Sequence, residues 1–328
     1  HVQINPFLIF VSLIFWLWFW GPLGGIVAIP TETVYGLAAM ISNDKAIETI
    51  FKTKKRPFFD PLIVHISSLE QARDLTISWP KVADILTTQF WPGPLTLVLK
   101  KNDKVSSMIT ADKTTVALRM PDHPIALEII KQTGPIAAPS ANTFGKTSPS
   151  QAAHVESSFN GRVPVVDGGP CSVGIESTII ELVESAGTVK LNILRPGHIK
   201  FEDLKSIFSD SPHVEISQKN KSQVTPGSME DHYQPEKPLV LSPPATKWNN
   251  ELHLGIRSAL NIEPSAQATI WTLKNSEPTL VARHLYEDMR AHSQTQGHYL
   301  FFECPKDFDS PDWLAIRDRL EKASSLKL

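Results

Sequence analysis

From Gly25 onward the chain alternates between two hydrophobic rhythms. Short apolar runs bounded by Pro, Gly or Asn read as buried strands, and amphipathic stretches between them read as helices. The run IVAIP at 26–30 is the first strand, and TETVYG after it reads as an abrupt turn. Asn43 and Asp44 predict a helix start, Ile47, Ile50 and Phe51 share one face of that helix, and Pro57 ends it. Further strands are expected at 62–66, 95–99, 116–118, 136–138, 163–166, 178–182 and 191–194, with helices between them. Ser148, Pro149 and Gln151 have the form of an N-cap, a first-turn proline and a capping-box glutamine.

The pattern changes at 209–244, where polar residues are interspersed with Pro226, Pro235, Pro238, Pro243 and Pro244, which reads as an extended linker. Beyond it, an apolar run at 269–273, an amphipathic helix at 280–289, a strand at 299–304 and a helix at 312–323 predict a small α/β domain over 245–328. The expected organisation is an apolar segment at 1–24, a larger domain at 25–208, the linker, and the small domain. The first segment stands apart: no charged side chain other than His1 precedes Glu32, and residues 7–20 are interrupted only by Ser12. Three readings compete there: a membrane anchor, a signal peptide, and a sequence that is not the native start. A spanning helix needs about 20 apolar residues and charged flanks. A signal peptide needs a basic leader and a small-residue cleavage site; residues 7–20 have neither set of features.

The length of 328 residues suits roughly two domains. With 32 Lys+Arg against 34 Asp+Glu, the net charge of −2 excludes the global basic field of a dedicated nucleic-acid binder. Any anion site must be local. Two cysteines, Cys171 and Cys304, are too few for a disulfide framework or a four-thiolate zinc site and suit a reducing cytoplasmic setting.

Three local clusters could hold anions. Lys52, Lys54, Lys55 and Arg56 precede the rigid Pro57 turn and the Asp60-Pro61 step into the strand bearing His65. A solvated face is the ordinary reading of such a run, whereas a pinned turn with an Arg fork and a Lys point charge suits polyphosphate. The segment APSAN (138–142), continuing to Ser148, sets small hydroxyls and amides at a strand end; the alternative is a capping turn. The glycine-bearing loop DGGPCSVGIEST (167–178) is weak evidence for phosphate by itself. Arg119 and Arg195 each sit at a strand end before a proline, where a ligand would meet the sheet, although a surface salt bridge is the ordinary alternative. His65, by alternation, faces into the first domain, where a satisfied core histidine is the commoner outcome. His232 and Tyr233 are amphipathic rings inside the linker, and Cys171 lacks a partner at any catalytic or zinc spacing.

Taken in order, IPTETVYGLAA (29–39), KKRP with DPLIVHI (54–66), FWPGPLTLVL (90–99), VALRMPDHP (116–124), APSAN, VDGG with ESTII (166–180), ILRPG (193–197) and PGSMEDHYQPEKPL (226–239) closely resemble the YrdC-like threonylcarbamoyl-AMP synthases, long form with a C-terminal domain. The resemblance is dense from 25 to about 241 and looser beyond. It implies an α/β (mixed α+β) fold: a YrdC-like twisted mixed sheet with flanking helices, plus a smaller C-terminal α/β domain. It also implies a cytoplasmic nucleotidyltransferase that condenses L-threonine, bicarbonate and ATP to threonylcarbamoyl-AMP and pyrophosphate. A partner threonylcarbamoyl transferase machinery then modifies tRNA. By the same resemblance Lys54, Arg56, Ser140 and Asn142 are catalytic. Arg56, Asp60, Thr115, Ser140, Ser148, Arg195, His232 and Tyr233 meet ATP, and Thr33, His65, Arg119, Ala138 and Ser177 line the threonine pocket. Mg2+ would ride on the phosphates with no legible protein ligand set, and no membrane partner is expected unless residues 7–20 are an anchor. Arg56→Ala is expected to keep the fold and lose activity. The competing class is a non-catalytic RNA-binding module of the same fold, against which the near-neutral charge argues.

Three features depart from the family pattern: Asp60 where Asn is common, acidic Glu230 and Asp231 before His232, and the apolar run in place of an amphipathic first helix.

Overall fold

The computed structural model describes residues 25–185, 187–218, 232–263 and 265–328. The apolar stretch at 7–20 and the acidic pair Glu230 and Asp231 lie outside them. Among the described residues no helix is long and apolar enough to cross a membrane.

The larger body is a nine-stranded mixed sheet. Its strands are β1 (Val27–Ile29), β2 (Gly36–Met40), β3 (Ile63–His65), β4 (Leu95–Lys100), β5 (Thr115–Arg119), β6 (Ile136–Ala137), β7 (Thr178–Ser185), β8 (Thr188–Arg195) and β9 (Val214–Gln218). They lie in the order β1-β2-β6-β3-β5-β4-β7-β8-β9. The helices are α1 (Asp44–Lys54), α2 (Leu69–Asp74), α3 (Lys81–Phe90), α4 (Ser107–Thr110), α5 (Pro124–Thr133), α6 (Ala152–Phe159) and α7 (Phe201–Ile207). Asn43 caps α1 as expected, accepting a bond from the Ala46 amide at 3.1 Å.

Alternation along the strands divides the sheet into two faces. Val64 of β3 and Val116 and Leu118 of β5 join the main core, where α1, α3, α4, α6 and α7 lay their apolar stripes. On the other face α5 covers only the β1-β2-β6 end, through Ala126, Ile129 and Ile130. That leaves Ile63 and His65 of β3 and Arg119 of β5 facing a gap beside α5.

The smaller body is a four-stranded parallel sheet, ordered β11-β12-β10-β13. Its strands are β10 (Leu239–Leu241), β11 (Ala268–Trp271), β12 (Tyr299–Phe302) and β13 (Leu326–Lys327). Helix α8 (Asn250–Leu260) packs on one face around Tyr299 and Phe301. Helices α9 (Pro278–Ser293) and α10 (Leu314–Ala323) pack on the other around Leu300 and Phe302. The α9 and α10 cluster also takes in Val34, Ile175 and Tyr233, so its hydrophobic core runs across to the first body.

Four expectations change. Residues 163–166 make only an isolated bridge, Ala28 to Val165, because Pro164 has no amide to extend a ladder. The stretch after TETVYG is itself a strand, β2; its small residues GLAAM carry little hydrophobic signal. Ser148 does not cap a helix: α6 begins only after Gln151, and the Ser148 hydroxyl bonds the Glu176 carboxylate at 2.6 Å instead, a charge-assisted partner stronger than a backbone amide. Finally, both ends of the polar span at 209–244 are ordered, since β9 pairs with β8 and β10 lies inside the second sheet.

Candidate active site

The gap beside α5 is a polar cavity, and each wall comes from a different piece of chain. Thr33 and Gly36 descend from the turn into β2; Ile63 and His65 come from β3, Arg119 from the end of β5, and Ala138 and Ser140 from the loop after β6. Glu176 and Ser177 precede β7, Arg195 ends β8, Arg56 follows α1, and His232 and Tyr233 close the remaining side. Ten residues singled out in the sequence therefore meet around one space: Thr33, Arg56, His65, Arg119, Ala138, Ser140, Ser177, Arg195, His232 and Tyr233. The cavity volume is about 50 Å³, enough for a water or two and below the several hundred Å³, roughly, of a small-molecule site.

Arg195 reaches the cavity because of a bulge. Ile179 pairs with Arg195 but Ile180 pairs with Ile193, so Leu194 is an extra residue on β8. Leu191 and Ile193 point into the main core, and uninterrupted alternation would send residue 195 the same way; the bulge re-aims it. Its Nε donates to the Ser177 carbonyl and an Nη to the Ser177 hydroxyl, both at 3.1 Å. The Ser177 hydroxyl also bonds that of Thr96 at 2.7 Å.

Each of two further cavity arginines is held by a buried carboxylate. Arg56 lies 2.9 Å from the Asp60 carboxylate, and it donates to the carbonyls of Asp60 at 3.1 Å and Pro61 at 2.8 Å. Arg119 lies 2.6 Å from Glu32, whose other oxygen accepts the Asp122 amide at 3.0 Å. All four side chains are 4% exposed or less. Burial opposes ionisation of Asp60, and Arg56 and then Lys54 counter it. Burial, with Arg119 adding to it, holds the His65 ring down to about 3, and burial does the same for His232. Both rings are therefore neutral at ordinary pH.

Other expected residues stand behind the cavity wall. Lys54 is 1% exposed and its ammonium donates to the carbonyls of Ser140 and Asn142, each at 2.6 Å. Burial lowers its affinity for a proton, and Arg56 lowers it further. It thus braces the 138–142 loop from beneath. The Asn142 amide donates to the carbonyls of Thr143 and Lys146 at 2.8 and 2.7 Å, closing the same loop. Thr115 opens β5 opposite Lys100, at the end of the strand away from Arg119, and does not line the cavity. Cys171 is a buried thiol pushed up to about 12 by its burial, which suits packing rather than nucleophilic chemistry.

Glu32 and Glu176 were not legible as site residues. Both sit inside quoted motifs, and only the fold shows that Glu176 lines the cavity and that Glu32 holds Arg119. Burial alone would raise the Glu176 carboxyl, but Arg319, Arg195, Ser148 and Tyr286 together bring it down to about 2. A carboxyl so depressed contributes stability that is complete above its ordinary value of 4.5 and is lost as pH falls toward about 2. Urea denaturation of Glu176→Gln and its parent should show the parent more stable by a constant margin above pH 4.5, narrowing below it. A margin that ignores pH would mean Glu176 is not held as an anion.

Comparison with known proteins gives this geometry a lineage. The Sua5/YciO/YrdC family profile, described as telomere recombination, matches residues 23–197. The chain belongs to this family. A second profile, the C-terminal domain of threonylcarbamoyl-AMP synthase, matches residues 199–325, so this member of the Sua5/YciO/YrdC family is of the long form. A threonylcarbamoyl-AMP synthase of Bacillus subtilis strain 168 is 38% identical over 315 residues, covering 91% of this chain and 89% of the relative. One from Pyrococcus abyssi is 42% identical over 222 residues, covering 66% of this chain and 64% of the relative. Among solved structures, P. abyssi Sua5 complexed with L-threonine superposes with a TM-score of 0.81 at 32% identity, covering 99% of this chain and 97% of that one. The mixed sheet and second parallel sheet are thus the architecture that the motif resemblance implies, and the relatives are enzymes.

Proposed function

We propose that the chain is an L-threonylcarbamoyladenylate synthase, a nucleotidyltransferase acting on L-threonine, bicarbonate and ATP. The observation that carries this reading is the convergence of Arg56, Arg119 and Arg195, with neutral His65 and the Ser140 and Ser177 hydroxyls, on one cavity. Arg119, with Thr33, His65, Ala138 and Ser177 around it, suits an amino-acid carboxylate, which a guanidinium receives in a fork. Arg56, Ser140, Arg195, His232 and Tyr233 suit a nucleotide. Lys54 and Asn142 serve by shaping the 138–142 loop, and Ser148 by holding Glu176.

Threonine carbamate is the nucleophile. One of its oxygens bonds to the α-phosphorus of ATP while the bond to pyrophosphate breaks, giving threonylcarbamoyl-AMP. The carbamate is already an anion, so the protein needs no base at this step. Its tasks are alignment and neutralisation of the phosphate charge. Mg2+, if it enters with the phosphates, would supply further neutralisation of their charge, while Asp60 is occupied by Arg56. The product passes in the cytoplasm to a transferase acting on tRNA.

The test is pyrophosphate release from ATP and magnesium, omitting L-threonine and bicarbonate in turn. Release that needs both is the expected result. Release indifferent to threonine overturns the reading.

A further inference from the structure

The second body reaches into the cavity wall through one buried charge. Arg319 of α10 is 0% exposed. Its Nε donates to the Glu176 carboxylate at 3.1 Å, one Nη donates to the Glu176 carbonyl at 3.3 Å, and the other donates to the carbonyl of Pro196. Tyr286 of α9 donates its hydroxyl to the same carboxylate at 2.7 Å. The fork therefore ties together the two backbone stretches that present Ser177 and Arg195. Arg319 also lies 5.7 Å from the centre of the Tyr233 ring, which stacks on Tyr286 with centroids 5.8 Å apart.

Two close backbone approaches flank this contact. Gly174 has a φ of +80°, and a β-carbon there would lie 2.3 Å from the Arg283 carbonyl of α9. A β-carbon on Gly197 would lie 2.4 Å from the Thr178 amide. The loops bearing Glu176 and Arg195 are thus pressed against each other, and the 167–178 loop against α9. A wholly buried guanidinium is costly unless every donor is used, and here its donors are spent on cavity-wall groups of the other body and on Ala315 and Asp318 of its own helix.

We propose that Arg319, supported by Tyr286, is a positioning residue: together with the direct Arg195–Ser177 hydrogen bonds, the C-terminal domain fixes where Ser177 and Arg195 stand in the cavity wall and thereby the alignment of the two substrates. This rests on the synthase reading, in which Ser177 faces threonine and Arg195 the nucleotide. Misalignment lowers the rate of the chemical step far more than it weakens binding, because Arg56 and Arg119 remain in place to hold the substrates.

The experiment uses the full chain. Arg319→Met alone leaves Glu176 buried without its cation and is prone to misfold, so the variant is Arg319→Met combined with Glu176→Gln, compared with Glu176→Gln alone and with Arg319→Lys. At saturating substrates, kcat per folded molecule should fall about 10- to 100-fold in the double variant relative to Glu176→Gln, with both KM values within about threefold. Arg319→Lys, which keeps the charge but not the fork, should lie between. Unchanged kcat, or KM values that rise at constant kcat, overturns the proposal. Hydrogen exchange on the same proteins, without substrates, should show faster exchange at 176–178 and 195–199 in the double variant. Unaltered exchange there overturns it independently of turnover. A parent without threonine-dependent pyrophosphate release would instead refute the synthase reading, leaving the exchange result to decide the positioning role.

Discussion

Arg56→Ala should cut turnover at least about 100-fold and destabilise the protein at the same time, and the two effects can be separated. Arg56 supplies positive charge where the phosphates are expected, and loss of one such electrostatic contact costs about 10²- to 10³-fold in kcat. The sequence offered no reason to expect harm to the fold. The structure does: Asp60 is 0% exposed and 2.9 Å from Arg56, so truncating the arginine strands a buried carboxylate, a loss of about 3–5 kcal/mol. Combining Arg56→Ala with Asp60→Asn removes the stranded charge. The double variant should regain most of the lost stability in urea denaturation while staying at least about 100-fold below the parent in pyrophosphate release. A folded double variant with near-parental turnover would remove Arg56 from the chemistry.

The second large effect is expected at Arg119. Its guanidinium is held by Glu32 at 2.6 Å and by the Gly93 carbonyl at 3.3 Å, which pre-orients it toward the cavity. Arg119→Met, combined with Glu32→Gln so that no buried carboxylate is stranded, should raise KM for L-threonine roughly 30-fold or more, the equivalent of about 2 kcal/mol or above. ATP binding measured by calorimetry without threonine should change by less than about threefold, since Arg56 and Arg195 are untouched. Arg119→Lys should be impaired as well, because an ammonium cannot reproduce the planar fork. Loss of ATP binding equal to the loss for threonine would argue that Arg119 supports the whole cavity and does not select the amino acid. Glu32→Gln is the complementary probe, as it frees the guanidinium while keeping a hydrogen-bonding side chain.

Both predictions draw on buried carboxylates that hold cavity arginines. Arg56, Arg119 and Arg195 were visible as arginines at turns and strand ends. Asp60, four residues from Arg56, is visible with it, but Glu32, 87 residues from Arg119 in sequence, and Glu176, which meets Arg319 across 143, are not. Lys54 shows the opposite case. Its sequence position beside Arg56 suits a phosphate clamp, yet its ammonium is turned beneath the 138–142 loop, where two carbonyls at 2.6 Å satisfy it.

What the sequence determined by itself is local and periodic. Apolar runs marked most central strands, Asn43 marked the start of α1, and the ordered motifs indicated the family and most of the cavity lining. Those features are legible because strand burial, capping and turn formation depend on neighbours a few residues away. Tertiary structure alone decided the rest. The bulge at Leu194 turned Arg195 from the core to the cavity. A buried carboxylate 28 residues on drew Ser148 away from a helix cap. The second body completed the wall by sending Arg319 to Glu176. Each outcome depends on which long-range partner best satisfies a buried polar group, and that competition is settled only when distant segments pack.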